Sequence, residues 1–286
     1  MLYACTSTFA YAVPEVEFNG LFEASLTKVE SETSQGKIDK IEFGVDVKFN
    51  DVFSVEIGVQ NEEVGTDEVT GFFVETALLH LDSEFGTLSA GKLRVPFSMD
   101  EKLLIEESTT HVDLLGMGLS FTGALGPIEY QVYVVEPTKD ELEEVTGNAY
   151  ARSSELSFGD LKGVNLNIDL TESITFNTSY ATIDNTRGIS GTLTGSFSKF
   201  GWLLEATDIE GEETTRTNIE GHYKAGFGVL IASLQTDGDE REIKSLGFVT
   251  EVYENTHFKV QVQNVSPQQT DEVAYNSIAG QLTYEF

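Results

Sequence analysis

Cysteine is nearly missing from this chain: Cys5 is the only one in 286 residues, so no internal disulfide and no cysteine-built metal or haem site can form. Basic residues are scarce, 17 Lys and Arg against 48 Asp and Glu, for a formal net charge of -31. That deficit excludes a nucleic-acid partner, whose phosphates need a basic footprint. It also excludes charge-driven docking on anionic lipid. With only 5 prolines there is no proline-rich linker, and 26 dispersed glycines carry no collagen-like period. No apolar run approaches the roughly 18 residues of a transmembrane helix, so residence in a membrane would have to come from strands. Mean hydropathy is -0.13, a value that a soluble protein and a polar-lined barrel share.

Enzyme signatures are missing as well. There is no phosphate-cradling glycine loop, no dinucleotide fingerprint and no His-Glu-x-x-His motif, so no cofactor is expected. Gly-x-Ser-x-Gly is absent, and Gly191-Thr192-Leu193-Thr194-Gly195 reads as a strand. The four histidines, His80, His111, His222 and His257, fall on different segments, each without an orienting partner that the sequence can name.

What the chain has in abundance is period-two alternation. Val16, Phe18, Gly20, Phe22, Ala24 and Leu26 oppose Glu15, Glu17, Asn19, Glu23, Ser25 and Thr27. Ile41, Phe43, Val45 and Val47 oppose Lys40, Glu42, Asp46 and Lys48, and after an Asn50-Asp51 turn Val55, Ile57 and Val59 oppose Glu56 and Gln60. The pattern recurs through Val164 to Leu170, Ile189 to Phe197 and Phe258 to Val262. Short turns at Asn50-Asp51, Asp82 to Gly86, Gly126-Pro127, Thr171 to Ser173, Ser198 to Gly201, Ala225-Gly226 and Glu254 to Thr256 alternate with longer, mostly acidic loops. Counting them gives about sixteen strands, an even number with short turns at one end and long loops at the other, the layout of bacterial barrels. Segment lengths suit the ~9–11 residues that a tilted strand needs to cross a bilayer. The expected fold is all-β: one up-and-down antiparallel transmembrane barrel over residues 13–286.

Residues 1–12 carry no charge, and Ala10-Tyr11-Ala12 has the small-x-small form of a signal-peptidase site, so this stretch is expected to be the remnant of a signal peptide. Because a basic leader is missing from it, the given start is expected to lie inside a longer signal peptide. Leu2-Tyr3-Ala4-Cys5 fits a lipoprotein box poorly, because Tyr is bulky for it.

Two local constellations matter for function. In Ala90-Gly91-Lys92-Leu93-Arg94-Val95-Pro96-Phe97, Lys92 and Arg94 share one face and Leu93, Val95 and Phe97 the other; lipid against the apolar face would put both cations in the lumen. The following loop carries Asp100, Glu101, Glu106, Glu107 and Asp113. Folded inward, it would set an acidic edge against a basic wall across a constriction; left outside, it is a solvated loop with two snorkelling cations at its base. The other expected lumen groups are mostly acidic, among them Glu42, Asp46, Glu56, Glu75 and Glu129, with Lys40, Lys48, Lys224 and Lys259 against them, and the balance favours cations.

Two resemblances add to this reading. The final strand, with Gly280, Leu282, Tyr284 and Phe286 on its apolar face, resembles the assembly signal of bacterial outer-membrane proteins. It implies residence in the outer membrane of a Gram-negative-type bacterium and recognition by the barrel assembly machinery. The blocks Val74-Glu75-Thr76-Ala77-Leu78-Leu79-His80-Leu81 and Leu88-Ser89-Ala90-Gly91-Lys92-Leu93-Arg94-Val95-Pro96-Phe97 resemble LbtU-type siderophore porins and, more distantly, phosphate-selective porins. The resemblance implies a porin, a role in ferric siderophore uptake, no energy-coupled plug, and, by analogy, a homotrimer. The acidic lumen departs from the basic channels of the phosphate-selective relatives, so cation preference is expected in place of anion preference. The competing function is a non-transport surface barrel whose acidic loops, Asn61 to Glu68 and Asp237 to Glu242, bind divalent cations. A barrel enzyme is a third class that no nucleophile–base pair in the sequence supports.

Overall fold

In the computed structural model, which describes residues 13–30, 33–64, 72–95, 97, 104, 115–137, 161–183, 186–210, 215–237, 241–267 and 273–286, each alternating segment is a strand. They are β1 (Glu15–Val29), β2 (Gln35–Lys48), β3 (Phe53–Val64), β4 (Phe73–Ser83), β5 (Gly86–Arg94), β6 (Leu115–Leu125), β7 (Ile128–Pro137) and β8 (Leu161–Thr171). The second half adds β9 (Ile174–Ile183), β10 (Thr186–Phe197), β11 (Phe200–Ile209), β12 (Arg216–Ala225), β13 (Gly228–Asp237), β14 (Arg241–Tyr253), β15 (Thr256–Pro267) and β16 (Tyr275–Glu285). Every strand pairs antiparallel with its sequence neighbours, and β1 pairs with β16, so the sheet closes into a sixteen-stranded barrel. All seven short turns fall where the sequence placed them. The expected signal-peptide remnant, residues 1–12, lies outside the described residues.

Closure makes period two into an inside and an outside. Ile189 is 49% and Leu246 67% exposed, whereas Thr207 is 0% and Gln281 2% exposed: apolar residues cover the outer surface and polar ones are enclosed. A soluble sandwich does the opposite. Each short turn is flanked by an exposed large apolar side chain, Phe49, Phe85, Leu125, Leu170, Phe197, Phe227 and Tyr253 in chain order. At the long-loop end the outer surface instead carries ion pairs, Arg187 with Glu210 at 3.2 Å and Lys244 with Glu242 at 2.6 Å.

The seam is bonded as well as the rest of the sheet. The Phe286 N–H donates to Gly20 O and the Gly20 N–H to Phe286 O, at 3.1 and 3.0 Å. The Phe286 ring stacks on Tyr284 and tilts against Phe43. It lies where a Cβ on residue 20 would be, 2.2 Å from its Cζ, which is why glycine stands there. Inside, Thr283 donates to Glu23 and Gln281 to Asp39 across the same seam.

Candidate functional site

The lumen is the only enclosed polar surface that the fold builds among the described residues, and its wall is unequal around the circumference. On β9 to β16 the inward residues are mainly hydroxyls and amides, such as Ser179, Ser190, Thr192, Thr207, Gln261 and Gln281, all buried. On β1 to β3 the inward residues are charged and partly open. Glu17, Asp46 and Glu56 stand directly opposite one another on three successive strands. Like charges so placed repel by about 0.2–1 kcal/mol per pair. Their partners lie beside them: Asn19 Nδ2 donates to Asp46 at 3.1 Å, and His80 Nε2 is 3.4 Å from Glu56. One level higher, Lys40 pairs with Glu42 at 2.9 Å. On β7, Glu129 accepts from Asn167 Nδ2 at 3.4 Å.

Two β-bulges add carboxylates to this wall. Between Glu23 and Ala24 the β1–β2 register skips Asp39, and between Gly58 and Val59 the β3–β4 register skips Glu75. A bulged residue is freed from the alternation and can be aimed. Asp39 accepts from Ser25 Oγ at 2.9 Å and from Gln281 Nε2 at 3.3 Å. Alternation alone misses Asp39; the phase break between Ile38 and Ile41 is the signal that reveals it.

The structure reverses one expectation about the Ala90 to Phe97 block. Leu93, Val95 and Phe97, assigned above to the lipid face, are buried inside the barrel with Tyr133, Val135, Leu161, Ala181, Ile183 and Ile209. Lys92 pairs with Ala77 and Met117, in the outward row. Period two shows which residues share a face but not which face turns inward, and here an apolar cluster at the long-loop end of the lumen claims the odd-numbered row. The β4–β5 ladder stops at Ala77 and Lys92. Beyond it, side chains take over: the Lys92 ammonium donates to Val74 O at 2.7 Å and lies 5.8 Å from the Phe73 ring centroid, and Arg94 pairs with Glu75. Lys92 and Arg94 are thus fasteners of a strand end, and neither is a basic constriction wall. Arg94→Ala removes an ion-pair partner from the buried Glu75 carboxylate, and the barrel is expected to lose about 3 kcal/mol, read as a lower midpoint for loss of the folded band on unboiled gels. Arg94→Lys should lose less.

Two described residues between β5 and β6, Phe97 and Leu104, are buried against the inner wall. Phe97 packs on Gly188 of β10, where an added Cβ would meet its ring at 2.7 Å. Leu104, 4% exposed, packs on Gly247 of β14, where an added Cβ would meet its Cδ2 at 2.4 Å. Gly188 and Gly247 both belong to inward rows, next to outward Ile189 and Leu246. The loop carboxylates Asp100, Glu101, Glu106, Glu107 and Asp113 lie outside the described residues.

One arrangement has the connectivity of a nucleophile relay: Ser89 Oγ is 2.8 Å from His80 Nδ1, and His80 Nε2 reaches Glu56. Ser89 sits mid-ladder between His80 and Ser120, which commits its surrounding amides to the sheet. The Ser89 hydroxyl and the Glu56 carboxylate hold the two nitrogens of the imidazole. Among the described residues no group of three His, Cys, Asp or Glu is placed to hold a metal ion.

No family model matches the sequence, and no curated protein matches it. Solved structures match along nearly the whole chain at low identity. The outer membrane channel DcaP of Acinetobacter baumannii superposes with a TM-score of 0.74 at 12% identity, over 96% of this chain and 97% of that one. An anion-selective porin from Comamonas acidovorans gives 0.71 at 12%, over 96% and 100%. The trimer form of OmpT, an outer membrane protein of Vibrio cholerae, gives 0.62 at 12%, over 96% and 100%. At these identities the likeness establishes the fold: a porin-like sixteen-stranded barrel.

Proposed function

We propose that this chain is an outer-membrane porin giving passive, cation-preferring diffusion of small hydrophilic solutes. Outer-membrane residence is supported by the inside-out distribution of apolar residues and by the two rims. Large apolar side chains flank every short turn, as at the interfacial rim of a lipid-spanning barrel, and charge pairs stand at the opposite end. The observation that carries the selectivity is the opposed row Glu17, Asp46 and Glu56 on the partly open β1–β3 wall. In a low-dielectric channel such a row concentrates counter-ions. Selectivity here follows the wall charge, which does not pass from a neighbour by shape: the Comamonas porin is named anion-selective, and this chain carries -31.

A ferric-siderophore substrate rests on the resemblance carried by the Val74 to Leu81 and Leu88 to Phe97 blocks. Leu93, Val95 and Phe97 of the second block serve inner packing, so general diffusion is the reading put forward. The competing surface-barrel reading, with divalent cations on the loops, would give a barrel without conductance. Trimeric assembly is supported by the trimer form of the Vibrio protein, and cross-linking of the native barrel tests it.

The experiment is a planar-bilayer recording in a salt gradient. The reversal potential should have the sign of cation preference, and combined Glu42→Gln, Asp46→Asn and Glu56→Gln should move it toward zero while channels still insert. An anion-selective wild type would sink the proposal.

A further inference from the structure

All three histidines among the described residues point into the lumen, and all lie in its short-turn half: His80 on β4, His222 on β12 and His257 on β15. Chance does not favour this, because each strand has an outward row and a long-loop half as well. Each imidazole stands beside acid. His80 faces Ser54 and Glu56 on β3 and Ser89 on β5, and borders a cavity of ≈ 210 Å³ lined by Glu15, Glu17, Asp46 and Lys48. His222 covers Gly201 on β11, faces Ile231 on β13, lies 3.9 Å from Glu220, and shares a cavity of ≈ 230 Å³ with Glu172. His257 is opposite Glu251 on β14 and opposite Thr283 on β16, whose hydroxyl binds Glu23, with Lys259 two positions along its own strand.

We infer that the short-turn mouth is a pH-responsive selectivity element, in which His80, His222 and His257 add positive charge to an acidic lumen as the pH falls. The inference rests on the cation-conducting reading above. Imidazole is the side chain that changes charge near neutrality while carboxylates remain ionised. The sign follows directly: protonation partly cancels the wall's negative potential, so cation preference falls on acidification. The three groups are spread around the circumference, so the effect is one of field, without a shared binding site.

The test measures the reversal potential of the reconstituted barrel at about pH 7.5 and about pH 5.5, an interval in which carboxylates stay ionised. The wild-type cation-to-anion permeability ratio is expected to fall by about half, in scale with lumen potentials of a few kT. The combined His80→Gln, His222→Gln and His257→Gln barrel should hold its ratio across that interval. If it shifts as the wild type does, carboxylates are titrating and the inference is overturned. Should the combined variant fail to insert, the three single variants decide: each should remove part of the displacement, and an unchanged displacement in all three overturns the inference too. The starting sign of the potential tests the cation reading, and its histidine-dependent displacement tests this one, so the two fail separately.

Discussion

A barrel carrying Phe97→Ala and Leu104→Ala should conduct markedly more current than the wild type, with frequent excursions to a larger open level. Phe97 and Leu104 are buried on glycines in two inward rows, Gly188 of β10 and Gly247 of β14. Truncating one such side chain costs about 3 kcal/mol of docking. That is on the order of a hundredfold in the ratio of the seated to the unseated side chain. A second pair of variants approaches the same contacts from the wall: Gly188→Leu and Gly247→Leu fill the seats and leave the loop sequence intact. Both pairs should raise single-channel conductance in planar bilayers. Unchanged conductance in both would show that these contacts do not set the width of the pore.

The second large effect concerns the seam. Deleting Phe286 removes two backbone hydrogen bonds to Gly20 and the ring that lies over it against Phe43 and Tyr284. At about 1 kcal/mol for each bond and about 1 kcal/mol for the ring contacts, the loss is about 3 kcal/mol. It should appear as a lower midpoint for conversion of the folded to the unfolded gel band. Phe286→Tyr keeps the backbone bonds and the ring and should recover most of that midpoint. A deletion variant as heat-resistant as the wild type would mean that the Leu21–Val29 and Ser277–Glu285 ladder, with the inner Thr283–Glu23 and Gln281–Asp39 bonds, holds the seam without Phe286.

The strands, their number and the short turns were legible because each follows from local pattern: a side-chain period of two, interrupted by turn residues. The β1–β16 seam was legible for the same reason, since an even number of hairpin-connected strands returns the last beside the first. The acidic wall was legible as well, with Glu42, Asp46 and Glu56 in the inward rows. What was not legible depends on contacts across the lumen. The inward turn of Leu93 is decided by Leu161, Ile183 and Ile209, which lie far along the chain and look like ordinary strand ends in sequence. Asp39 escaped because a bulge is a departure from the period that revealed everything else, and Glu75 was expected inward without the bulge that places it there. Leu104 belongs to the short apolar run Leu103-Leu104-Ile105, which does not say which of the three is buried; the seat over the glycine at 247 takes Leu104.

The seam bonds join residues that are maximally distant along the chain: Thr283 to Glu23 spans 260 positions and Asn276 to Glu30 spans 246. Such pairings are the slowest to form, because the loop they close is the whole sheet. Until they do, the curled sheet has two raw edges, β1 and β16, each offering unpaired amides and carbonyls to whatever strand arrives first. A second molecule's β16 matches β1 in register and side-chain pattern as well as the chain's own does. Refolding from denaturant should therefore be a contest between ring closure and concatenation, with yield falling as concentration rises and recovering when the chains are diluted.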